Sequence, residues 1–168
     1  MGTATNGSSG AVRNLTAGEV KAGDPMPAYG YDVSATTVIL GALASRDWRP
    51  MHHDRDFAIH RNGTRDIFMN TPNLAAWFEK YVTDWTGPKG RLARLKFRMR
   101  DSVFPGERME FHGKVDGVET DDTGCAFVRA TIALKVGDRV CTECSARVAL
   151  PSSADDNPWA RKGDRWKP

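Results

Sequence analysis

Near residue 90 the hydrophobic period of this chain switches from helical to alternating, and that switch limits the folds open to it. Upstream, Pro72–Thr86 (PNLAAWFEKYVTDWT) repeats Leu74, Trp77, Phe78, Tyr81, Val82 and Trp85 at three- and four-residue steps. Those steps give one broad apolar helical face, which must be mostly buried. Pro72 near the start and Gly87-Pro88 at the end are the residues that open and stop helices. Downstream, Leu95, Phe97 and Met99 alternate with Arg94, Lys96, Arg98 and Arg100. Met109, Phe111, Gly113 and Val115 repeat the alternation after a Pro105-Gly106 turn. Residues 125–136 and 140–150 read as a long hairpin joined at Gly137-Asp138. Residues 36–45 (TTVILGALAS) fit a short helix or a buried strand, 54–61 fit a short helical turn, and a further strand is expected before the long helix. One buried helix followed by antiparallel strands is satisfied by a curved sheet wrapped around that helix, an α+β arrangement.

A chain of 168 residues with 40% hydrophobic and 27% charged residues matches a single globular domain and not a disordered segment. Residues 1–13 read as a flexible leader, 14–150 as the domain, and 151–168 as a tail with no strand or helix period. Trp159 and Trp166 in that tail are costly to leave in water; they either dock on this subunit or a partner, or stand exposed in a mobile tail. No apolar run approaches the ~20 residues a membrane helix needs. The odd cysteine count argues for reduced thiols and a cytoplasmic protein. A net charge of +3 suits an anionic small molecule without demanding nucleic acid, and no aromatic platform accompanies the cations.

Chemistry concentrates in Ser45–Asp54 (SRDWRPMHHD). Asp47 precedes His52 by five residues, and Pro50 between them stiffens a non-helical connection. A carboxylate and an imidazole so held can share one water, one taking a proton and the other returning it. The bland alternative is a structural pair tying down a loop. Asn70–Leu74, at the start of the long helix, offers free backbone N–H groups to a developing oxyanion, with Asn70 either a side-chain donor or merely the helix cap. His53, Asp54, Asp56 and His60 thicken the cluster, but adjacent histidines seldom face one ion, so no metal site is expected. Cys141 and Cys144 spell CxxC; on a regular strand, positions three apart point to opposite faces, so they read as ordinary thiols. Arg94, Lys96 and Arg98 form a solvated strand face or a site for a ligand's phosphates.

Asp47, Pro50, Met51, His52, Asp54 and Ala58, together with the Pro105-Gly106-Glu107 turn, resemble the signature of the MaoC-like (R)-specific enoyl-CoA hydratases. The resemblance spans about residues 28–150. Within that family, Arg46-Asp47, His52-His53-Asp54-Arg55-Asp56, Asp66-Ile67-Phe68 with Asn70, and Tyr81–Trp85 with Gly87-Pro88 look like the small subunits of heteromeric hydratases acting on steroid side-chain enoyl-CoA thioesters. The resemblance implies a hot-dog fold and syn addition of water across the 2,3 double bond of an acyl-CoA, catalysed by Asp47 and His52, with Asp47 favoured as base and His52 as acid. For such a reaction the helix start offers the backbone or side chains of Asn70, Thr71 and Asn73 to the oxyanion, and Arg94, Lys96 and Arg98, unless simply a solvated strand face, could meet the coenzyme A phosphates. No cofactor is implied, because coenzyme A is part of the substrate, and the expected partner is a second hot-dog subunit, or a second copy of this chain in a homodimer. Arg46 stands where the family usually has glycine, Arg49 where it has asparagine, and Phe68–Thr71 replaces a usual His-Gly. Rival readings on the same fold are a non-catalytic scaffold subunit and an acyl-CoA thioesterase.

Overall fold

The computed structural model describes residues 13–168, so all but the last residue of the expected leader lies outside the described residues. In chain order the elements are β1 (Tyr29–Asp32), α1 (Ala35–Ala44), α2 (Arg55–His60), α3 (Thr71–Thr86), β2 (Arg91–Met99), β3 (Arg108–Thr120), β4 (Ala126–Val136) and β5 (Arg139–Leu150). The strands form one antiparallel five-stranded sheet in the order β1-β3-β4-β5-β2, with α3 against its inner face. The expected hot-dog architecture is present, and residues 36–45 resolve as helix.

The apolar stripe of α3 does what its period requires. Leu74, Phe78, Tyr81 and Val82 are buried against the sheet. Phe78 stacks on Phe97 of β2 at 5.9 Å and meets Phe111 of β3 edge-on at 5.2 Å, which ties the helix to two strands distant in sequence. Gly87 ends the helix at φ 76, and a Cβ there would lie 2.1 Å from the Arg13 carbonyl oxygen, so no other residue lets the N-terminal segment cross so close.

Residues 151–168 pack back on the outer face of the sheet. Trp166 lies 5.7 Å from the Phe127 ring and under the Arg91 guanidinium at 3.6 Å. Trp159 stays 54% exposed but donates its indole N–H to the Gly90 carbonyl at 3.2 Å. Of the alternatives left open by the sequence, docking on this subunit is the one observed.

The expectation for the CxxC pair is corrected. Cys141 and Cys144 both face the inner core. The β4–β5 register pairs Leu134 with Thr142 but Lys135 with Val140, leaving Cys141 as an unpaired extra residue. A bulge of this kind resets the two-residue alternation, so a three-residue step returns to the same face. Its carbonyl accepts the N–H groups of Arg100 (2.8 Å) and Asp101 (3.1 Å), anchoring the segment that leaves β2. Among the described residues no helix is long and apolar enough to cross a membrane.

Candidate active site

Asp47 is aimed by the way α1 ends. The Arg46 N–H bonds to the Leu43 carbonyl at 3.0 Å and the Asp47 N–H to the Ala42 carbonyl at 2.9 Å, with Arg46 left-handed at φ 54. This is the bonding of a Schellman stop, which normally places glycine where Arg46 stands. Asp47 leaves the stop pointing towards the start of α3. The chain then enters a short 3-10 turn, Pro50–His52, opened by the proline, which carries His52 back beside it.

Both side chains are buried, Asp47 at 8% and His52 at 4% exposure, and His52 Nε2 faces Asp47 Oδ2 at 3.6 Å. His52 Nδ1 lies 2.8 Å from the Phe68 carbonyl, and the Phe68 ring meets the imidazole edge-on at 4.8 Å. Asn70 is the helix cap, and both of its side-chain N–H groups are taken up inside the site. Its Oδ1 caps α3 by accepting the Asn73 N–H, while its amide N–H donates to Asp47 Oδ2 at 3.0 Å and to Ser45 Oγ at 2.8 Å. Arg49 pairs with Asp47 through both carboxylate oxygens, at 3.0 Å and 3.2 Å. The Arg49 guanidinium, helped by the Asn70 amide, the Arg49 N–H and His52, outweighs the effect of burial and holds the Asp47 carboxyl at about 2.

His52, Asn70 and Arg49 open onto a cleft of about 280 Å³ walled by Met51, Phe68, Leu74 and Met99, with Arg100 and Asp101 from the bulge-anchored end of β2 at its rim. Thr71 lines the same cleft and, as the first residue of α3, has an N–H without an intrahelical partner. Asn73 faces elsewhere. Its amide reaches the Thr37 carbonyl at 3.4 Å, and it lines a separate groove of about 480 Å³ between α1 and α3. Arg94, Lys96 and Arg98 are exposed on the outer sheet face, away from the cleft, because Leu95 and Phe97 take the inner positions of β2. Of that basic series only Arg100 reaches the rim. His53, Asp54, Asp56 and His60 are all exposed; Asp54 caps α2 by accepting the Phe57 N–H at 3.0 Å. Sequence reasoning missed Arg49 and the Phe68 carbonyl. The arginine's two-residue offset from Asp47 was visible, whereas the carbonyl's position across the cleft left no trace in the sequence.

A comparison with curated proteins decides the family. The chain is 32% identical over 105 residues to the beta subunit of 3-oxo-4,17-pregnadiene-20-carboxyl-CoA hydratase of Mycobacterium tuberculosis, a match covering 62% of this chain and 78% of that protein. The chain belongs to the MaoC-like enoyl-CoA hydratases. No family model matches it. Among solved structures, the ChsH1-ChsH2 complex of M. tuberculosis superposes with a TM-score of 0.70 at 24% identity, covering 77% of this chain and 97% of that one. The (R)-hydratase PhaJ1 of Pseudomonas aeruginosa gives 0.71 at 16% identity, covering 84% and 89%. At those identities the two likenesses establish the hot-dog fold, on which this MaoC-like chain carries its own Asp47–His52 pair.

Proposed function

We propose that this chain is the catalytic small subunit of a two-protein hydratase, adding water syn across the 2,3 double bond of a bulky acyl-CoA thioester at Asp47 and His52. The observation that carries the reading is the 3.6 Å gap between His52 Nε2 and Asp47 Oδ2, too long for a direct hydrogen bond and suited to two groups sharing one water. The Thr71 N–H at the positive end of α3 suits an enolate oxygen. The reaction needs no cofactor, since coenzyme A arrives as part of the substrate. Arg49 and Arg100 line the cleft and are the cations within reach of its phosphates, whereas Arg94, Lys96 and Arg98 do not line it.

The beta-subunit relative is named for a steroid-derived thioester, which supports a polycyclic acyl group here. A cleft of about 280 Å³ is small for such a group together with pantetheine, and β2 presents an open sheet edge. A second hot-dog subunit joined at that edge supplies the missing wall. The test follows loss of enoyl-thioester absorbance with the chain alone and with its co-encoded hot-dog partner, on crotonyl-CoA and on a steroid side-chain thioester. Turnover of the bulky thioester by the pair alone is expected; brisk hydration of crotonyl-CoA by the isolated chain would refute the narrower reading. Asp47→Ala and His52→Ala should each lower the rate of the pair, His52→Ala by about 10²- to 10⁴-fold. Unchanged rates would reveal a scaffold, and thiol release from a saturated acyl-CoA would reveal a thioesterase.

A further inference from the structure

Resting on that hydratase reading, we propose that His52 alone carries the proton in both directions, taking it from the attacking water and giving it to Cα, while Asp47 serves as a fixed anion beside the ring. A backbone carbonyl only accepts, so the 2.8 Å contact with Phe68 places a proton on Nδ1. In the neutral ring Nε2 then has a free lone pair, and Nε2 is the atom facing Asp47, on a residue that lines the cleft. In that form His52 can take a proton at Nε2 and has none to give there.

Asp47 is arranged in the opposite sense. Its Oδ1 accepts from Arg49 Nε at 3.0 Å and the Arg49 N–H at 3.4 Å, and its Oδ2 from Arg49 Nη2 at 3.2 Å and Asn70 Nδ2 at 3.0 Å. A carboxylate bonded in this way, held at about 2, has no proton to give at neutral pH and little affinity for one. The other charged groups at the cleft are Arg100 and Asp101 from the end of β2, and Asp101 is paired with Arg139 at 2.7 Å.

The step balances without another donor. A water O–H bond breaks, its proton passes to Nε2, the oxygen bonds to Cβ, and the π pair moves onto Cα and the thioester oxygen. The imidazolium returns that proton to Cα, the enolate collapses, and the ring regains its starting tautomer. Both new bonds form on the face that His52 occupies, which makes the addition syn. Asp47 offsets the charge on the ring while it lasts.

The test is the pH dependence of kcat/KM for the assembled enzyme, with the temperature dependence of its acidic limb. Imidazole ionisation is strongly temperature-dependent, carboxyl ionisation hardly so. The expected wild-type limb has imidazole character and keeps it in Arg49→Gln. In Asp47→Asn activity falls but persists, and the limb keeps its imidazole character. His52→Gln loses about 10²- to 10⁴-fold. A limb of carboxyl character that climbs in Arg49→Gln, with Asp47→Asn as inactive as His52→Gln, would overturn the assignment. NMR of isotope-labelled histidine in the full chain reads the tautomer without turnover: a proton on Nδ1 is expected, and one on Nε2 alone contradicts the proposal. Absence of any enoyl-thioester hydration by wild type would instead remove the hydratase reading itself.

Discussion

Arg46 occupies a left-handed conformation that glycine adopts freely and other residues adopt at a cost of about 1–2 kcal/mol. Glycine also gives up more freedom on folding, so the two effects partly cancel. Arg46→Gly is expected to raise stability by up to about 1 kcal/mol, read as a higher denaturant midpoint at unchanged slope. Destabilisation would mean that the arginine side chain holds the turn. The neighbouring carboxylate sets a second expectation. The folded pKa of Asp47 lies below that of an unfolded aspartate, about 3.9, so its contribution is fully present above pH 4 and lost as pH falls from there towards 2. The stability difference between wild type and Asp47→Asn should therefore shrink across that window. A difference that stays flat from pH 5 to pH 2 would show that Arg49 does not hold the carboxylate in solution.

At the scale of elements, α3 and the strands around it follow from periodicity, while the cleft depends on two irregular features. One is the stop of α1, which aims Asp47; the other is the bulge at Cys141, whose carbonyl fixes the end of β2 at the cleft rim. Neither disturbs the hydrophobic pattern enough to be read from it. The C-terminal segment is a third irregular element, held on the outer face through Trp166, Phe127 and Arg91 rather than by any period of its own. Trp166→Ala removes a half-buried ring packed on Phe127 and a cation–π contact worth roughly 0.5–2 kcal/mol. A lower Tm is expected, with binding of a hydrophobic dye to the uncovered face. An unchanged Tm would indicate that the segment lifts off in solution.

For the whole molecule, the strand order leaves β2 at one end of the sheet and β3, β4 and β5 inside it. If a second hot-dog subunit joins there, β2 amides should exchange quickly in the isolated chain and slowly in the assembly, while β4 amides stay protected in both. Equal exchange of β2 in the two states would place the partner elsewhere. Arg94, Lys96 and Arg98 miss the cleft because α3 claims the inner face for Leu95 and Phe97, so the intervening cations face outwards.

The sequence by itself determined the long helix, the hairpin and the Asp47–His52 spacing, because each is a local regularity: a period, a turn pair, or two residues joined by a rigid proline. Tertiary structure decided what those residues meet. The Phe68 carbonyl reaches His52 and the Asn70 amide reaches Asp47 from 16 and 23 residues away. Such contacts follow from where packing sets α3 against α1, and no local pattern encodes them. Hence the two catalytic candidates were visible in the chain, whereas which of them stands ready to accept a proton emerged only from the atoms folded around them.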